Sequence, residues 1–170
     1  GKIRTPSPNL TSVALWIKLG GTKVLLGADL EEDSTHKGWS IIMDDCKCID
    51  GKASIFKVPH HGSENGDHPR VWEELLQNDP ICLVAPWNKS SKLPTQKDIQ
   101  RLKQNSNHLY LTADPYKSEK FKVGDGFLRR KFKEKKIREV LTNFGMVRLR
   151  KAKDSDEWER ECFGQAQLVS

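Results

Sequence analysis

The stretch Lys57-Val58-Pro59-His60-His61-Gly62-Ser63 carries two imidazoles at the end of an apolar segment. A neutral imidazole nitrogen ligates zinc and related metals, and the same ring carries protons near neutral pH. Gly62 lets the backbone turn sharply just after the pair. A second apolar segment, Thr22 to Ala28, ends on Asp29. Two strands that each end on a nitrogen or oxygen ligand can build a metal centre at one sheet edge. Taken singly, Asp29 is equally a turn former, and the histidines are equally a hydrogen-bonded pair at a turn. Adjacent strand residues point to opposite faces, so only one of His60 and His61 reaches a given metal unless the strand bends. His68 follows the polar loop Ser63 to Asp67. It reads either as a phosphate contact or proton donor at the site mouth, or as the N-cap of the next helix. Ser63 reads as a hydrogen-bonding partner of the loop or of an imidazole, since no activating base accompanies it. His36 and His108 read as surface residues.

These groups must be positioned by elements that the chain spells out. Val13 to Leu19 and Lys23 to Leu26 flank Gly20-Gly21, a hairpin signal. Glu31 to Ser34 is an acidic loop, and Trp39 to Met43 reads as a short helix. Ala53 to Pro59 is rich in strand formers. Pro69 suits a first helical position, and Val71, Trp72, Leu75 and Leu76 then recur at helical spacing. Ile81 to Ala85 is a continuous apolar run, as in a strand buried on both faces. Thr95 with Asp98 resembles a capping box for a helix that buries Ile99 and Leu102. Leu109 to Thr112 is another short strand. Met146 to Arg150 and Trp158 to Val169 read as closing strands, turning at Asp154-Ser155-Asp156. Strands alternating with helices predict a layered α/β domain over residues 1–170.

Composition narrows the function classes. The chain has 170 residues, 36% hydrophobic and 31% charged, enough for one core. Its apolar runs are too short to span a bilayer. The four cysteines, Cys46, Cys48, Cys82 and Cys162, form no framework of spaced pairs. They read as surface or half-buried thiols, and a cytoplasmic location is expected. The net charge of +6 is local: Lys117 to Glu139 holds ten basic and four acidic residues, and the rest of the chain holds 19 of each. Phe121, Phe127 and Phe132 are interleaved with these charges. Single-strand binders that stack bases share that pattern, and so does a solvated helix with its rings packed inward.

The order of motifs resembles the metallo-beta-lactamase superfamily, in the branch that includes the hydrolase domain of bacterial DNA-uptake channel proteins. The matching elements are Asn9-Leu10-Thr11-Ser12, Gly27-Ala28-Asp29-Leu30-Glu31 and Lys57 to Ser63. They lie in a region from about Pro8 to Thr112. The resemblance implies two divalent metal ions, zinc or manganese, in the complete protein. It implies Asp29 as the acid that bridges them, and favours His61 over His60 as the histidine ligand. His60 would then face the substrate, with His68 possible beside it. Asn9 and Ser12 stand where other branches place a metal-binding histidine, and Asn suits an oxygen-favouring ion such as manganese.

The superfamily's His-x-His-x-Asp-His motif does not occur in this chain, which begins at Gly1. The expected architecture is therefore the second half of an αββα sandwich, with the N-terminal half on the same or another polypeptide. The implied chemistry is hydrolysis by a metal-activated water. The expected function is a phosphodiesterase or nuclease, with nucleic acid as partner through Lys117 to Glu139 and no membrane. Two alternatives stand beside it: a hydrolase of a small non-nucleic substrate, and a metal-free binding or assembly module. Asp29 and His61 are two ligands, where catalytic zinc has three protein ligands. The isolated chain is expected to bind divalent metal weakly and to hydrolyse nothing. Metal-dependent turnover by these 170 residues alone would overturn that expectation.

Overall fold

A computed structural model describes residues 7–33, 37–46, 49–88, 91–116, 144–153, 155 and 157–169. Leu15–Leu19 (β1) and Thr22–Leu26 (β2) form the expected hairpin, with Ile17 opposite Val24. Ala53–Lys57 (β3), Leu76–Val84 (β4) and Leu109–Leu111 (β5) join β2 in parallel register. Gln167–Leu168 (β8) closes the far edge antiparallel to β5. The sheet order β1-β2-β3-β4-β5-β8 follows the chain through five strands, so each crossover lands on the next neighbour. Trp39–Asp45 (α1) and Gln96–Asn105 (α2) occupy two of these crossovers. Gly145–Arg150 (β6) and Glu159–Gly164 (β7) form a separate two-stranded sheet.

Register divides the sheet into two faces. Leu25, Phe56, Cys82, Val84, Leu109 and Leu111 share a core with Trp39, Val71, Leu75 and Leu102. The helices therefore cover one face. Ile55, Ile81 and Tyr110 meet Val147, Leu149 and Trp158 from the β6–β7 side. The hairpin thus covers part of the other face. On β1, Leu15 and Leu19 remain 51% and 66% exposed. The chain is a mixed α/β fold with few helices, in the expected class.

Two elements and one cysteine differ from the sequence pattern. The spacing from Val71 to Leu76 predicts a helix, but the structure holds one π-type turn over Val71–Leu75, and Leu76 opens β4. Leu76 pairs with Ala53 and is 1% exposed, so sheet burial overrides the helical spacing. The predicted closing strand from Trp158 to Val169 breaks at Gly164, where φ is 62°, into β7 and β8 in different sheets. Cys82 is fully buried rather than on the surface, and burial pushes its thiol up to about 12. Cys46, Cys82 and Cys162 form no disulfide. The basic segment Lys117 to Glu139 with its phenylalanines, His36, Cys48, Asp154 and Asp156 lie outside the described residues. Among the described residues, no helix is long and apolar enough to cross a membrane.

The capping box is present as predicted. Thr95 Oγ1 accepts from the Asp98 amide at 3.2 Å, and Asp98 Oδ2 accepts from the Thr95 amide at 2.8 Å. Thr95→Ala is expected to cost about 1 kcal/mol. Leu102→Ala, at a fully buried position, is expected to cost about 2–5 kcal/mol. Urea unfolding with unchanged m-values checks both.

Candidate metal centre at the strand ends

The parallel strands β2, β3 and β4 run side by side, so their C-terminal ends open on one edge of the sheet. Ligand sites of open α/β sheets form at such edges. Gly27 carries β2 past its last ladder residue, its amide donating to the Lys57 carbonyl at 3.0 Å. A Cβ on Gly27 would stand 2.8 Å from the Pro59 ring, so only glycine allows the two strand ends to approach this closely. Ala28 turns the chain with φ 47°, and its carbonyl accepts from the His60 amide at 3.1 Å. Asp29 and the histidine turn are thereby tied together.

His60 and His61 sit in a 3-10 turn rather than on the strand, which ends at Lys57. Their φ values are 43° and 54°, a region rarely used by non-glycine residues. The chain thus bends where a straight strand would send the rings to opposite faces. The ring centroids are 6.2 Å apart with a 49° tilt.

His61 Nδ1 lies 2.7 Å from the carbonyl oxygen of Ala85, at the end of β4. A carbonyl only accepts, so Nδ1 carries the proton and donates. The neutral ring then keeps a lone pair on Nε2, the tautomer of a metal ligand. That Nε2 lies 3.7 Å from Asp29 Oδ1, beyond hydrogen-bond length. Two donors on one tetrahedral zinc stand roughly 3.4 Å apart, given bonds of about 2.0–2.2 Å. Asp29 is half exposed and His61 mostly buried, at 52% and 23% side-chain exposure, so the pair opens to solvent on the carboxylate side. Donor type and spacing suit a divalent ion. Among the described residues, no group of three or more His, Cys, Asp or Glu side chains could hold one.

His60 is placed differently from the substrate-facing position expected for it. Its Nε2 lies 3.1 Å from Glu31 Oε1, and its Nδ1 is buried without a partner. Asn9 Nδ2 donates to the same Glu31 oxygen at 3.0 Å, and the Glu31 amide donates to the Asn9 carbonyl at 3.3 Å. Asn9 thus braces the carboxylate behind His60. Ser12 closes the short 3-10 turn Pro8–Thr11 through its amide on the Asn9 carbonyl, at 3.2 Å. His68 has its carbonyl on the Val71 amide at 3.0 Å, so it starts the following turn. Its ring lies 3.4 Å from Ser40 Oγ, and Ser40 in turn donates to Glu32. The Ser63 amide donates to the His60 carbonyl at 3.0 Å, and its hydroxyl makes no capping bond to the next turn. His108 is partly buried, with Nδ1 3.2 Å from Arg160.

Sequence reasoning assigned no role to Glu31, Ala85, Trp87 or Arg101. Glu31 lay within the quoted Gly-Ala-Asp element, but no spacing rule pairs it with His60. Arg101 of α2 donates to the Gly62 carbonyl at 2.8 Å and pairs with Asp67 at 2.6 Å, clamping the histidine turn. Lys57, the last residue of β3, donates to the Val58 carbonyl at 2.8 Å. Burial holds its ammonium below the usual lysine range, and the Asp29 charge offsets part of that.

No family model matches the chain, and no solved structure matches it. The chain is similar to ComE operon protein 3 of Bacillus subtilis (strain 168), with 30% identity over 100 residues. The aligned part is 59% of this chain and 12% of that protein, so the chain covers a small part of the relative's length. That name fits the DNA-uptake branch of the resemblance and says nothing about a metallo-beta-lactamase fold.

The lowered Lys57 value sets a pH dependence. Between the folded and unfolded pKa, the unfolded state binds more protons, so stability rises with pH. The penalty for the buried ammonium is full below the folded pKa and is relieved as pH approaches the ordinary 10.5. Lys57→Met is expected to flatten this alkaline rise. Urea midpoints of the two proteins at about pH 8 and about pH 10 check it; parallel curves would refute it.

Proposed function

We propose that this chain forms one wall of a metal-dependent phosphodiesterase site that acts on nucleic acid. The observation that carries the reading is the Asp29–His61 pair, with a 3.7 Å gap and His61 Nδ1 fixed on the Ala85 carbonyl. Asp29 and His61 hold the ion. A divalent ion there supplies Lewis acidity and lowers the pKa of a water. Ala85 keeps the His61 lone pair on the ion side, and Lys57 lies close enough to feel the Asp29 charge. Glu31 and Asn9 hold the His60 ring, and through it the turn that carries His61. His68 acts through Ser40 and Glu32 on the neighbouring loop.

In this reading the fold is the second half of an αββα sandwich. Helices on one face and β6–β7 on the other support it. The remaining metal ligands come from a His-x-His-x-Asp-His segment of an N-terminal half, on the same or another polypeptide. The exposed Leu15 and Leu19 on β1 suit a second sheet laid over that edge. Two points favour nucleic acid as substrate: the similarity to ComE operon protein 3 and the basic segment Lys117 to Glu139. A second reading, a metal-free binding module, is favoured by the two-donor count among the described residues.

The test uses the complete protein that contains this chain, with zinc or manganese added, on single-stranded oligonucleotides. Asp29→Ala and His61→Ala are each expected to lower bound metal and to cut kcat/KM at least about a hundredfold, more than loss of a group that only supports a ligand. A chelator is expected to abolish turnover, and KM is expected to rise steeply with salt. Oligonucleotide binding without metal or turnover would replace this reading with the binding module.

A further inference from the structure

Trp87 stands beside His61. Its ring centroid is 5.2 Å from that of His61, tilted by 35°, and the residue is 36% exposed. Structural packing alone favours burying so large an apolar ring. An isolated backbone bridge holds the position. The Trp87 amide donates to the Leu93 carbonyl and the Leu93 amide to the Trp87 carbonyl, both at 2.8 Å. Two residues before Trp87, Ala85 holds His61 Nδ1. Indole and imidazole therefore belong to one braced unit at the end of β4. The return arm of the loop reaches Pro94, whose carbonyl accepts from Tyr116 Oη at 3.0 Å. Lys92 Nζ lies 5.7 Å from the Tyr116 ring centroid. One aromatic ring is thus held next to the candidate ligand His61.

We propose that Trp87 is the platform on which the base of the reacting nucleotide stacks, and so selects substrates that carry a base at the scissile position. The inference rests on the phosphodiesterase reading. A phosphodiester held at His61 carries its nucleoside one sugar away, within reach of an indole whose centroid lies 5.2 Å from the His61 ring. Every base has a π-face, so such a platform tolerates sequence while rejecting a bare sugar-phosphate. No bond is made or broken at Trp87. It holds the nucleoside equally in the ground and transition states, so its contribution falls on substrate binding.

The test compares single-stranded oligonucleotides with a base or an abasic sugar at the scissile position, again with the complete metal-loaded protein. Trp87→Ala is expected to raise KM for the base-bearing strand about tenfold, with kcat within about twofold. Trp87→Phe is expected to restore most of the loss. On the abasic strand, wild type and Trp87→Ala are expected to behave alike. An equal loss on both strands would overturn the proposal, because the ring would then be supporting His61. Affinity for labelled strands, read by fluorescence anisotropy without turnover, separates this from the underlying reading. Absence of hydrolysis with a Trp87-dependent preference for the base-bearing strand would refute the phosphodiesterase and keep the platform. Equal affinity for both strands would refute the platform.

Discussion

The site depends on one reversal of the chain. From His60 to Gly62, three consecutive residues have positive φ, at 43°, 54° and 83°. For the two histidines this conformation costs roughly 1–3 kcal/mol each. Surrounding contacts hold it in place. A Cβ on Gly62 would lie 3.3–3.4 Å from Leu102, Pro94 and Val84, so the turn is seated directly on the core. Arg101 holds the Gly62 carbonyl, and Ala28 holds the His60 amide. Seating of the turn on the core and these hydrogen bonds, with the Ala85 carbonyl on His61, together fix the direction of the imidazoles. A strand continued past Pro59 would have separated them across the sheet.

The electrostatics of the same edge follow from the loop after β2. Asp29, Glu31 and Glu32 lie within four residues of one another, yet each meets a different partner. Asp29 faces His61, Glu31 takes His60 and Asn9, and Glu32 takes Ser40. Spreading the carboxylates relieves their mutual repulsion and leaves Asp29 as the one at half exposure. A carboxylate already accepting several hydrogen bonds is a weaker candidate for a cation. Glu31 and Glu32 are committed to the scaffold, while Asp29 keeps its oxygens available to the edge.

Much of this was legible in the sequence, for reasons that can be named. The hairpin at Gly20-Gly21, the capping box at Thr95 and the buried run at Ile81 are local signals, and each element formed. The juxtaposition of Asp29 with the histidine pair followed from two apolar segments ending on ligands, because neighbouring parallel strands end at one edge, whereas the choice of His61 within the pair came only with the resemblance. The position of His60 was not legible. Its partner Glu31 is set by the left-handed turn at Ala28, which no period in the sequence encodes. Leu76 misled for a related reason. Its helical spacing to Val71 and Trp72 is real, but the pairing with Ala53 is a long-range contact that pattern alone does not reveal. The Ala85 carbonyl is backbone, so residue type could not have pointed to it.

Under the reading proposed, two unfinished features of the chain have a single origin. Among the described residues, the candidate metal site has two donors where a catalytic ion takes three. The sheet is apolar on both faces, but β6–β7 reaches only the Ile55, Ile81 and Tyr110 side and leaves Leu15 and Leu19 bare on β1. A metal edge and a bare face can be completed separately or together. They share β2: Asp29 follows its end, and Val24 in its middle packs at the margin of the covered cluster while facing Ile17 of β1. A second sheet laid over β1 and β2 would run along the flank of the Asp29 turn, so the loops at its end would arrive beside the donors. The hydrophobic energy of covering the face would then also fix the position of the remaining ligands. That coupling gives a physical reason for an apolar face to remain next to an incomplete donor set.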